Sequence, residues 1–126
     1  MATIFTRIRT GEIPGYILED TGKFFVFLDN APQQRGHLLV VPYQEVDDIF
    51  DLDSETYHQL WDGVAMVSAK LRKIVPCRKV AVMVKGLQVN HVHVHLVPIN
   101  AESDLESQYT PEPDEFAQLQ DQYRSL

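Results

Sequence analysis

The chain is poor in the residues that would staple it or carry it through a bilayer. It has one cysteine, Cys77, among 126 residues. A single thiol forms no intramolecular disulfide and no cysteine-ligated zinc cluster, so Cys77 reads as a small buried hydrophobe. No apolar run approaches the ~20 residues of a membrane span, and Met1-Ala-Thr-Ile-Phe-Thr-Arg7 lacks the basic-then-apolar order of a signal peptide. The cytoplasm is the expected compartment. Positive charge is also scarce. Eleven Lys and Arg face eighteen Asp and Glu, for a net charge of −7. Without a basic stripe, duplex nucleic acid is not an expected partner, and neither is a membrane. The acidity is uneven: residues 1–98 carry ten basic and eleven acidic residues, residues 99–126 one basic and seven acidic. An anionic substrate must therefore be held by local groups, because the global field opposes it.

The length suits one domain. The expected division is a domain over residues 1–99 and an acidic tail over 100–126 that packs on it or extends from it. Ile4 to Arg9 has a short helical pattern, ended by Gly11-Glu12-Ile13-Pro14-Gly15. Tyr16–Glu19, Phe24–Asp29 and His37–Pro42 read as a meander of strands. From 54 to 75, Tyr57, Leu60, Trp61, Val64, Val67, Leu71 and Ile74 repeat at helical spacing, with Asp53 as N-cap and Pro76 as the stop. Arg78–Val84 and Asn90–Pro98 complete five strands, and Phe116–Tyr123 suggests a short terminal helix. The fold class is α+β: a five-stranded antiparallel sheet, one long helix and a short N-terminal helix.

The chemistry is concentrated in His91-Val-His93-Val-His95-Leu96. On a strand, alternate side chains share a face, so three imidazoles line one side and three aliphatics the other. Three readings fit. The first is a metal site, but same-face neighbours lie ~6.6 Å apart and metal–nitrogen bonds are ~2 Å. All three histidines therefore cannot share one ion, and a pair would need another ligand such as His37. The second is covalent chemistry on a phosphate, with His93 attacking and its neighbours donating to oxygens. The third is a solvated strand face that is merely rich in histidine.

The pattern resembles the signature of the histidine triad (HIT) superfamily. Gly11-Glu12-Ile13-Pro14 and the block from Phe27-Leu28-Asp29 through Gly36-His37 to Pro42 are also similar to that family. The resemblance covers roughly residues 3–98 and is nearest to a HINT-like branch without zinc-binding cysteines. It implies a HIT-like fold and cleavage of a substituent from the α-phosphate of a purine nucleoside phosphate, either a phosphoramidate or a mixed anhydride. His93 would be the nucleophile, oriented by the backbone of His91, with His95 and His37 at the phosphate and Gln88 near the leaving group. Asp29 would hold ribose, Lys85 could add phosphate charge, and Phe5, Ile8, Ile13 and Phe27 would sandwich the base. Taken alone, the apolar four fit an ordinary core equally well. Thr3, Thr6 and Glu45 stand where zinc-binding relatives carry two cysteines and a histidine, so neither metal nor other cofactor is expected. A homodimer through the long helix is expected. A nucleotide-binding partner protein with vestigial catalysis is the alternative function, because the 84–90 loop is shorter than in relatives.

Overall fold

A computed structural model describes residues 1–126. Its elements run α1 (Ile4–Arg9), β1 (Ile17–Asp20), β2 (Phe24–Leu28), β3 (Leu38–Pro42), a 3-10 turn (Ile49–Asp51), α2 (Ser54–Ile74), β4 (Lys79–Met83), β5 (Val94–Ile99), a second 3-10 turn (Glu102–Leu105) and α3 (Glu115–Arg124). The five strands form one antiparallel sheet in the order β1-β2-β3-β5-β4. The expected α+β architecture is therefore the observed one.

The pleat divides the sheet's residues between two cores. Phe24, Val26 and Leu28, with Leu38, Val40, Val94 and Leu96, face α2 and join Leu60, Val64, Val67 and Leu71. Gly63 lets the helix approach closely, since an added Cβ would lie 2.5 Å from the Phe24 ring. Asp53 caps α2 by accepting from Thr56 N at 2.8 Å, as its position suggests. The opposite sheet face carries Phe25, Phe27, Leu39 and Val41, covered by Phe5 of α1. His95 pairs with Leu39 across β3–β5, so the histidine face is the α1 face.

The fifth strand is shorter than the sequence suggests. It begins at Val94, so only His95 of the three alternating histidines is on a regular strand. Continuing the β3–β5 register past Val40↔Val94 would bring in Pro42, which has no N–H to donate. Residues 91–93 instead lie outside the ladder, with Val92 N bonded to Val46 O at 2.8 Å. The alternation survives, because Val92, Val94 and Leu96 all enter the α2-side core. Cys77 is half-buried after α2 rather than buried.

The acidic C-terminal segment is not loose. Leu119 and Tyr123 of α3 are buried in the main core. Gln120 Nε2 and Arg124 Nη2 donate to Ile17 O at 3.0 and 2.6 Å. Charge on the outward face concealed a narrow apolar stripe of Leu119 and Tyr123, with Phe116 half-buried beside them. Leu119→Ala should lower stability by about 2–4 kcal/mol, as for a buried leucine, measured by urea unfolding. A cost near that of a surface substitution, about 0.5 kcal/mol or less, would mean that α3 adds nothing to the core.

Candidate active site

Thr3 begins the site. Its hydroxyl caps α1, accepting from Thr6 N at 3.3 Å, and lies 2.6 Å from Nδ1 of His91. The other His91 nitrogen, Nε2, lies 2.8 Å from the carbonyl of Pro42. A carbonyl can only accept, so Nε2 carries the proton, Nδ1 is bare and Thr3 donates to it. The imidazole thus takes the strand-end carbonyl that the missing ladder bond leaves free.

His93 follows by the same logic. Its Nδ1 lies 2.7 Å from the carbonyl of His91, so Nδ1 is protonated and Nε2 is a free lone pair. Phe5 packs edge-on against the His93 ring at 4.8 Å between centroids. His93 borders a cleft of about 530 Å³, together with Asp29, His37, Lys85, Gln88 and His95. It also lines a smaller cleft of about 300 Å³ across the 85–87 loop.

The remaining two histidines are joined. Gln33 N donates to His37 Nδ1 at 3.0 Å, so His37 is protonated at Nε2, which lies 3.0 Å from His95 Nδ1. His95 therefore accepts at Nδ1, and its Nε2–H, without a protein partner, is left for the cleft. Asp29 Oδ2 lies 3.5 Å from His37 Nε2, while its Oδ1 accepts from Ala31 N at 2.8 Å.

Burial favours the neutral form of His37, His91 and His95. It lowers the pKa of His37 against the opposing pull of Asp29, and lowers that of His91 against the Pro42 hydrogen bond. His95 is lowered from 6.5 to about 4, by burial first and then by the neighbouring His37 and His93. The Asp29–His37 approach is thus a carboxylate beside a neutral N–H, not an ion pair.

Asp29, His37 and His95 also have the spacing of a metal site. Their donor atoms lie within 4.8 Å of one another, and two nitrogens on one ion sit about 3–3.4 Å apart. The protons do not fit. A metal on His37 Nε2 would move its proton to Nδ1, where it would meet the Gln33 N–H. Thr3, Thr6 and Glu45 are likewise committed to each other. Thr6 Oγ1 and Thr3 N donate to Glu45 Oε2 at 2.9 and 2.5 Å. These bonds, Thr3 N–H foremost, hold the Glu45 carboxyl below its ordinary pKa.

The family model of the HIT domain matches residues 10–102. The chain belongs to the HIT domain family. It is 31% identical over 102 residues to adenosine 5′-monophosphoramidase of Schizosaccharomyces pombe, covering 78% of this chain and 74% of that protein. It is 31% identical over 99 residues to an uncharacterized HIT-like protein of Methanocaldococcus jannaschii, covering 75% and 77%. Among solved structures it is similar to a hypothetical histidine triad nucleotide-binding protein of Sulfolobus tokodaii, with a TM-score of 0.84, 26% identity and coverage of 96% and 89%. The Asp29–His37–His95 cluster, with both histidines buried and Asp29 half-buried, is of the kind that catalytic HIT proteins carry and supports enzymatic activity.

The structure gathers six of the sequence-derived candidates, Asp29, His37, Lys85, Gln88, His93 and His95, around one cleft. His91 lies behind them, fully buried. Phe5 and Phe27 are buried against each other at 5.5 Å, with Ile8 packed on their cluster; Ile13 is half-buried, and none of these four lines the cleft. His58 bonds Ser54 O on the exposed side of α2, away from the site. Two working residues escaped the sequence reading. Thr3 carried a signal, the Thr-x-x-Thr spacing of an N-cap. Gln33 carried none, because it acts on His37 through its backbone.

These histidines make stability fall with acid. Burial lowers the folded-state pKa of His37, His91 and His95 below the unfolded value near 6.5, that of His95 to about 4, so below about pH 6.5 the unfolded chain binds more protons. Stability from this source is full above about pH 6.5 and is lost as pH drops toward 4. The urea midpoint should decline across that window, and His95→Gln should flatten the decline. An equal slope in both proteins would contradict the assignment.

Proposed function

We propose that the chain is a cytoplasmic nucleotide hydrolase or transferase of the HINT-like branch. It cleaves a substituent from the α-phosphate of a purine nucleoside phosphate, by way of a nucleotidyl-histidine. The observation that carries this is the free Nε2 of His93, held toward the cleft by the 2.7 Å bond from Nδ1 to His91 O. The similarity to an adenosine 5′-monophosphoramidase supports a phosphoramidate as substrate.

The His93 Nε2 lone pair forms a bond to phosphorus as the bond to the leaving group breaks. Positive charge develops on the ring, and the His91 carbonyl stabilises it through Nδ1–H. The His95 Nε2–H donates to a phosphoryl oxygen as negative charge gathers there, and Lys85 adds the one positive side chain of the cleft. Gln88 lies at the mouth for the leaving group. The departing amine or oxygen takes a proton from solvent. Water then attacks phosphorus and gives up a proton to solvent as the phosphorus–nitrogen bond breaks, which releases the nucleoside monophosphate and returns the bond pair to Nε2. Asp29 accepts from the ribose hydroxyls. Phe5, Ile8, Ile13 and Phe27 do not line the cleft, so in this reading they buttress the His93 ring, which Phe5 touches, rather than sandwich the base. A homodimer is part of the proposal, supported by exposed Met66 on α2 and exposed Val82 on the edge strand β4.

Incubation with nucleoside phosphoramidates, dinucleoside polyphosphates and nucleotide sugars tests the reaction. Phosphoramidates should turn over, and a base-stable, acid-labile nucleotide adduct should accumulate on His93. His93→Ala should remove the adduct and leave the fold. Label on another residue, or binding without turnover of any substrate, would overturn the reading in favour of a different nucleophile or a binding protein.

Asp29→Asn tests the ribose contact separately. It should weaken ribonucleotide binding by about 1–3 kcal/mol and narrow the gap between ribo- and deoxyribonucleotides in calorimetry. An unchanged ratio would leave Asp29 as a turn residue only.

A further inference from the structure

Residues 103–126 lie beyond the family match, yet three consecutive residues of the loop bordering the cleft are tied to them. Gln33 Nε2 donates to Leu105 O at 2.9 Å. Gln34 Nε2 donates to Asp104 O at 2.9 Å and to Ser107 Oγ at 3.2 Å. Arg35 Nη1 lies 3.6 Å from Glu115 Oε1. The same carboxylate oxygen accepts from Tyr109 OH at 2.5 Å. The segment can bear this load because it is fixed at both ends. Asp104 Oδ2 accepts from Asn100 N and Ala101 N at 2.7 and 3.0 Å, and Leu119 and Tyr123 are embedded in the core.

Glu115 is the costly part of this arrangement. It is 1% exposed, and its Oε2 has no hydrogen-bond partner. A buried carboxylate facing one half-exposed arginine is a poor way to gain stability, since an apolar residue there would avoid the desolvation. Its presence there suits a part that fixes where Arg35 sits. Two residues upstream, the backbone N–H of Gln33 reaches His37 Nδ1 and sets which nitrogen of His37, and then of His95, holds its proton.

We propose that the C-terminal segment is a positioning element of the site. Through Leu105, Asp104, Ser107 and Glu115 it clamps loop residues 33–35, so that Gln33 N–H holds His37 as a donor to His95 and leaves the His95 Nε2–H directed at the cleft. Glu115, Gln33 and Gln34 are positioning residues acting through His37. The functional consequence rests on the reading of His95 as a phosphate contact; the proton arrangement itself does not.

The test uses the full chain labelled with nitrogen-15 histidine, in the wild type, Glu115→Gln and the double variant Gln33→Ala/Gln34→Ala. The double variant removes only loop amide groups and serves if Glu115→Gln does not fold. Imidazole nitrogen spectra at neutral pH should give His37 and His95 each as a single Nε2–H tautomer in the wild type. In the variants these two should become tautomer mixtures while His91 and His93 keep their patterns, which also reports an intact fold. Turnover of adenosine 5′-phosphoramidate should fall roughly tenfold or more with KM changed less than about twofold, as expected when a reacting geometry loosens. Unchanged tautomers of His37 and His95 in a folded variant would overturn the clamp. Mixed tautomers with unchanged turnover would uphold the clamp and remove the phosphate role of His95.

Discussion

His93 donates from Nδ1 to a carbonyl only two residues upstream, and the bond holds because His91 is itself pinned on both ring nitrogens. A free imidazole exchanges tautomers and rotates. Here the backbone around residues 91–93 cannot shift without breaking the Pro42 and Thr3 contacts of a fully buried ring. The lone pair of Nε2 is therefore prepared before any substrate arrives, and its orientation costs nothing at the moment of reaction. Pro42 is central to this arrangement. Its missing N–H ends the β3–β5 ladder, and its carbonyl then becomes the anchor for His91.

The four site histidines are held from two directions. On one side, the N-cap of α1 gives its hydroxyl to His91, and Phe5 from the same helix covers His93. On the other side, Gln33 orients His37, and His37 orients His95. The 5.1 Å between the His93 and His95 rings places the bare nitrogen of His93, the proposed nucleophile, beside the His95 donor. The sheet contributes by rigidity: β2, β3 and all of β5 before Ile99 are buried along their length, so the histidine face rests on a packed layer. Metal chemistry is disfavoured at both polar clusters by the same feature that prepares the site, since each nitrogen lone pair within them already accepts a hydrogen bond.

Much of this was legible in the residues. The 3.6-residue period of α2 and its Asp53 cap gave the long helix to within one residue at its end, and the alternation of His91 to Leu96 assigned the two faces correctly. The resemblance to the histidine triad superfamily, not spacing, marked Asp29, His37, Lys85 and Gln88, which line the same cleft as His93 and His95 from positions up to sixty-six residues apart. What the residues concealed were effects of the backbone. The late start of β5 depends on which residue Pro42 would have faced, a matter of register. The role of Gln33 depends on an N–H that every residue but proline possesses. The docking of α3 depends on a few apolar residues, Leu119 and Tyr123 with Phe116 beside them, in a strongly acidic segment.

The chemistry of the site depends on where the protons are. Neutron diffraction from deuterated crystals at neutral pH reads them directly. Deuterium should lie on Nδ1 of His93 and on Nε2 of His91, His37 and His95, with Nε2 of His93 bare. Deuterium on Nε2 of His93, or on both of its nitrogens, would mean that the lone pair is not prepared in the resting protein, and would contradict the central claim.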